Sequence, residues 1–219
     1  MIVWQLPYGN YILYPFTILS TYFHEISHGF AAILLGGDFI KLELFADGSG
    51  LATHTSSYFM SGIGNGLIAL AGPMGPTIFG YILFRISKNE KYSKFILSTV
   101  VLFILLSLMF WVRTLFGLLF LSSTILVISF IIIKGSNLMQ KNTIRAIALQ
   151  LFLSVYPSLG YFFSEGGVIN GNQFVSDTGV AAKYLLLPYW FWGTFVVVFS
   201  CFLFISALNS IYKTKKDLH

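Results

Sequence analysis

Two histidines and a glutamate within five residues, His24-Glu25-Ile26-Ser27-His28, are the part of this sequence best suited to chemistry. On an α-helix, positions i and i+4 share a face, so both imidazoles can reach one metal ion while Glu25 stands one position along, beside a water. This H-E-x-x-H spacing suits one catalytic zinc, with the histidines as ligands and the glutamate as general base. Such a zinc takes three protein ligands, so the third must come from elsewhere in the chain. The single cysteine, Cys201, supports neither a disulfide framework nor a thiolate site, which leaves His, Asp or Glu.

The helix that carries this motif belongs to a membrane protein. Of 219 residues, 56% are hydrophobic and 10% charged, against about 25% charged in soluble domains. Mean hydropathy is +0.80. Each ionisable residue at a membrane helix centre costs at least about 2–3 kcal/mol, so three within five positions call for a compensating partner. Spans of about 20 apolar residues predict an all-α polytopic protein with about six transmembrane helices, at 10–35, 60–86, 95–112, 114–133, 144–164 and 188–211. The long apolar run from Phe95 to Ile133 is split at Arg113, because one helix of that length would be roughly twice the bilayer core. Residues 1–10 lack a positive n-region, so no cleaved leader is expected, and 1–219 reads as a single membrane-embedded domain.

After the first helix, Gly36-Gly37 supplies a stop and Phe39–Phe45 alternates, with Ile40, Leu42 and Leu44 on one face and Lys41 and Glu43 on the other. Asp47-Gly48-Ser49-Gly50 is a turn signal and Leu51–Ser57 a returning strand, so a small β-hairpin at the membrane surface is expected. The second helix is rich in Gly with Pro73 and Pro76, a composition that allows close approach to the first helix, or a break.

The formal charge of +5 and pI near 9.3 do not point to nucleic acid, because the basic residues lie in connectors and the tail. Alternation of six spans puts Lys41, Arg113 and Lys183 on one side and the other ten basic residues opposite, which places both termini in the cytoplasm.

His24-Glu25-Ile26-Ser27-His28-Gly29, Gly36-Gly37, Asp47-Gly48-Ser49-Gly50 and Ala71-Gly72-Pro73-Met74-Gly75-Pro76 together resemble the site-2 protease family, in particular its small bacterial members. The resemblance covers most of the first 80 residues and resumes around Ser176-Asp177. It implies an intramembrane zinc metallopeptidase of a bacterial cell membrane, acting on transmembrane segments of other proteins, with Asp177 as the third zinc ligand. The family presents that aspartate as Leu-Asp-Gly or Asn-Pro-Asp-Gly, whereas here it stands as Val175-Ser176-Asp177-Thr178-Gly179. On residue type alone Asp177 can instead cap a helix, and Glu165, Asp47 and His54 remain rival ligands. Arg113 reads as a headgroup contact and Asn65 as a packing amide or a carbonyl-polarising one. The alternative reading of the whole is a transporter, or a silent scaffold, with an intramembrane metal site.

Overall fold

The computed structural model describes residues 9–57, 62–169 and 172–216. Its first helix, α1 (Gly9–Leu34), runs unbroken through the His-Glu motif and ends at Gly36, whose φ of 83° is the left-handed turn that glycine permits. A two-stranded antiparallel sheet follows, β1 (Phe39–Leu44) and β2 (Gly50–His54). Asp47 closes the turn between them by accepting from Ser49 N (2.9 Å) and Ser49 Oγ (2.6 Å), and these bonds lower its pKa. Glycine at 48, with φ 94°, completes that turn.

The hairpin departs from simple alternation at one place. A bulge between Phe39 and Lys41 turns Ile40 outward, half exposed, so the buried face is Phe39, Leu42 and Leu44 rather than Ile40, Leu42 and Leu44. Lys41 and Glu43 do share the opposite face, as an ion pair of 2.8 Å. The returning strand ends at His54, short of Ser57.

Helix α2 (Ile63–Ile86) continues through both Pro73 and Pro76 without a break, and packs on α1. The start expected for it at residue 60 lies outside the described residues. Next come a 3-10 turn at Glu90–Tyr92, α3 (Ser93–Phe110) and α4 (Leu115–Lys134). The long apolar run is divided at Arg113, as its length requires. Thr114 caps α4 by accepting from Gly117 N (3.2 Å), and the Arg113 guanidinium donates to the carbonyls of Phe110 (2.5 Å) and Val112 (2.9 Å) at the end of α3.

The fifth helix is a correction. The sequence suggests one span over 144–164, but α5 covers Asn137–Leu153 and is followed by turns and a one-turn helix, α6 (Leu159–Phe162). Ser136 starts α5 early by accepting from Met139 N (3.2 Å), and Pro157 stands in the break. A second hairpin, β3 (Gly166–Ile169) and β4 (Asn172–Val175), leads into α7 (Asp177–Leu185), and α8 (Tyr189–Lys216) is the last helix among the described residues.

Among the described residues, four helices are long and apolar enough to cross a membrane: Ile63–Ile86, Glu90–Phe110, Leu115–Lys134 and Tyr189–Ser210. The motif's His and Glu, with Thr17, Ser20, Thr21 and Ser27 on the same helix, make α1 more polar than these, and α5 has 17 residues. The main core gathers Ile18, Tyr22, Phe23 and Ile26 of α1 with Leu42 and Leu44 of β1 and Leu97 and Ile104 of α3. Tyr22 and Ser107 exchange a hydrogen bond of 2.7 Å inside it.

Two contacts fix which ends of the bundle meet. Leu42 of β1 bridges Val112 in the α3–α4 connector, with Leu42 N donating to Trp111 O (2.8 Å) and Arg113 N to Leu42 O (3.0 Å). At the other end Lys141 pairs with Glu90 at 2.7 Å. Between those ends α2 runs roughly 36 Å at about 1.5 Å per residue. In a Cys201→Ser background, single cysteines at positions 41 and 91 are expected to react with an impermeant maleimide from opposite membrane faces. Labelling of both from one face would contradict this arrangement.

Candidate metal centre

His24 and His28 lie one turn apart on the face of α1 turned toward α2 and α7, with ring centroids 4.9 Å apart. Their Nε2 atoms stand 3.2 Å from one another. Asp177, at the first position of α7, brings Oδ2 to 2.9 Å from His24 Nε2 and Oδ1 to 3.4 Å from His28 Nε2. Bonds of about 2.05 Å in a tetrahedral zinc site would hold ligand atoms about 3.3 Å apart, so these separations match its edges. Among the described residues this is the one group of three or more His, Cys, Asp or Glu side chains able to share an ion.

The surroundings orient each donor. His28 Nδ1 lies 2.8 Å from the carbonyl oxygen of Ile68, which can only accept, so Nδ1 donates there and Nε2 is the nitrogen left facing His24 and Asp177. Burial alone would raise the Asp177 pKa, but His28 and His24 beside it outweigh that and hold the carboxyl below the usual carboxylate range. Helix capping, the competing reading of Asp177, falls to its neighbour. Ser176 Oγ accepts from Gly179 N (3.0 Å) and donates to the carbonyl of Ser164, which leaves the Asp177 carboxylate for the histidines. The Asp177 N–H, an orphan of the helix start, donates to the Tyr161 hydroxyl at 3.1 Å.

The rival ligands are elsewhere. Glu165 is exposed, Asp47 is spent on its turn, and His54 donates Nδ1 to Thr55 O at 3.0 Å on the rim of the cavity. Asn65 accepts from Ser57 N (2.8 Å) and so ties the post-hairpin segment to α2, a packing role. Arg113 serves the end of α3, away from the histidines.

A cleft of about 770 Å³ opens over the cluster, lined by His24, Glu25, Ala52, Tyr161, Asp177 and Tyr184 among others. The family profile of the Peptidase M50B-like proteins matches residues 1–207, the histidine pair and Asp177 included.

This chain belongs to the Peptidase M50B-like family.

Membership makes it a metallopeptidase of the site-2 protease type, and the resemblance read from its motifs is borne out. No curated protein and no solved structure matches the M50B-like chain. Four apolar helices long enough to span among the described residues, together with the family, make it a membrane peptidase.

Two features of this M50B-like site are invisible in the motif. A Cβ at Gly72 would lie 2.0 Å from His28 Nε2 and 2.8 Å from His24 Nε2, so the bare glycine of α2 keeps open the space both donors face. That space, with two imidazole Nε2 atoms and a carboxylate converging on it, fits a divalent cation. Tyr161 is the second, since its bond to Asp177 N anchors the carboxylate-bearing helix to α6. The Ala71–Pro76 signal hinted at the glycine; a tyrosine in an apolar stretch gave no hint of its role.

Gly72→Ala is expected to reduce the metal content of the purified protein to near zero, and full metal content in that variant would contradict the placement. Tyr161→Phe is expected to lower metal affinity about tenfold or more in chelator competition.

Proposed function

We propose that this chain is a zinc-dependent intramembrane endopeptidase that hydrolyses peptide bonds in or near transmembrane segments of other membrane proteins. The observation that carries the reading is the convergence of His24, His28 and Asp177 on one point beside Glu25. In this reading α1 and α5 cross the bilayer with the four apolar helices, giving six spans in one membrane-embedded catalytic unit.

His24 and His28 would hold the ion through Nε2, and Asp177 through its carboxylate. Zinc bound there supplies a Lewis acid that activates water near neutral pH and polarises the scissile carbonyl. Glu25, 9% exposed and one position from His24, takes the proton of the attacking water and returns it to the leaving amine. Two oxygen-free imidazoles and one carboxylate suit zinc better than the harder calcium or magnesium.

A transmembrane helix must unwind before attack, because its carbonyls are engaged in its own hydrogen bonds. An edge strand can hold the unwound segment extended. β2 is the supporting element here. Leu42, opposite Ala52, spends its backbone groups on Trp111 and Arg113, so the backbone of Ala52 faces away from β1 and toward the cleft.

Glu25→Gln is expected to lower hydrolysis of a transmembrane substrate by about 10²-fold or more while zinc stoichiometry is kept. His24→Ala and Asp177→Ala are expected to lose the zinc itself. Proteolysis unchanged in a zinc-loaded Glu25→Gln protein would sink the reading and favour a scaffold or transporter.

A further inference from the structure

The general base and the substrate-binding edge are already joined to each other. Ala52 N donates to Glu25 Oε2 at 2.7 Å, across from α1 to the outer edge of β2. The contact is built into the packing: a Cβ at Gly50 would lie 2.7 Å from Glu25 Cγ, so only a residue without a side chain lets the strand rest on that carboxylate. On the far side, β1 is closed off by the Leu42–Val112 bridge, so the sheet's free edge is the one that Glu25 touches. Among the described residues, no other partner engages the outward backbone groups of Gly50 and Ala52.

We infer that Glu25 Oε2 occupies the place of a substrate carbonyl, so that pairing of an extended substrate segment with β2 displaces Glu25 from Ala52 and releases it to act as the base. The inference rests on the reading that β2 receives the substrate strand. A strand laid along β2 needs Ala52 N–H as a donor, because alternate residues of an edge strand turn their N–H and C=O outward. A carboxylate and a peptide carbonyl are both acceptors, and a single N–H serves one of them well. The base is therefore held on the strand until a peptide long enough to pair arrives. A water or a short peptide cannot displace it as effectively. The device couples recognition to chemistry, and restricts hydrolysis to chains that have already been drawn out of their helix.

The test compares two variants of the full-length, metal-loaded protein that both lack the base. In Glu25→Gln the side-chain amide oxygen still accepts from Ala52 N–H; in Glu25→Ala nothing does. The probe is a fluorescent Val/Thr-rich peptide long enough to pair along the whole of β2, read by polarisation, with a counterpart N-methylated at alternate residues that cannot form a strand ladder. Glu25→Ala is expected to bind the unmethylated peptide roughly fivefold tighter than Glu25→Gln, a change in the range of one hydrogen bond. The methylated peptide is expected to show no difference between the two. Equal or weaker binding by Glu25→Ala would overturn the inference, as would an equal gain for the methylated peptide. Because the readout is binding, it can fail while the peptidase reading stands; cleavage of the probe by metal-loaded Glu25→Gln at the wild-type rate would instead refute that reading.

Discussion

The imidazole of His28 is wedged between two helices, its Nδ1 on the Ile68 carbonyl of α2 and its Nε2 turned toward His24 and Asp177. A polar ring in an apolar bundle is stable only when both nitrogens are engaged, and the backbone supplies one partner here. That requirement sets the distance between α1 and α2, and the distance in turn requires a glycine at 72. Pro73 and Pro76 follow from the same place, since a helix packed on neighbours along its length tolerates the donors they remove. The hairpin is carried on the C-terminal end of α1, and its bridge to Val112 determines which of its edges is left facing the motif.

Much of this was legible in the residues. Histidines at i and i+4 with an intervening glutamate define a helix face whatever the surroundings, and the apolar run broken at Arg113 has a length that only two helices can accommodate. Asp177 followed from topology and from the resemblance together. Its freedom to face the histidines depends on Ser176 as the cap, a division of labour that neighbouring cap-forming residues leave undecided until the φ/ψ of each is known.

What was not legible depended on tertiary position. Apolar composition continues through 144–164, so length and hydropathy join residues that Pro157 and the turns around it separate. The bulge at Ile40 moves one side chain out of a periodicity that otherwise holds. Tyr161 at Asp177, the Ile68 carbonyl at His28 and Ala52 N–H at Glu25 are contacts to backbone atoms, and every residue carries those atoms. Sequence can nominate the side chain in such a pair but not its partner.

His24 and Asp177 are 153 residues apart in the chain yet 2.9 Å apart in space. A fastening at that point closes a very long loop, and the entropy removed from the unfolded chain by such a closure grows with the logarithm of loop length. An ion held by both ends would thus act as a cross-link that holds α7, and α8 packed on it, against the first helix. The three side chains proposed to hold the ion would then also serve as the rivet of the fold, so that loss of the ion would loosen the C-terminal part of the molecule.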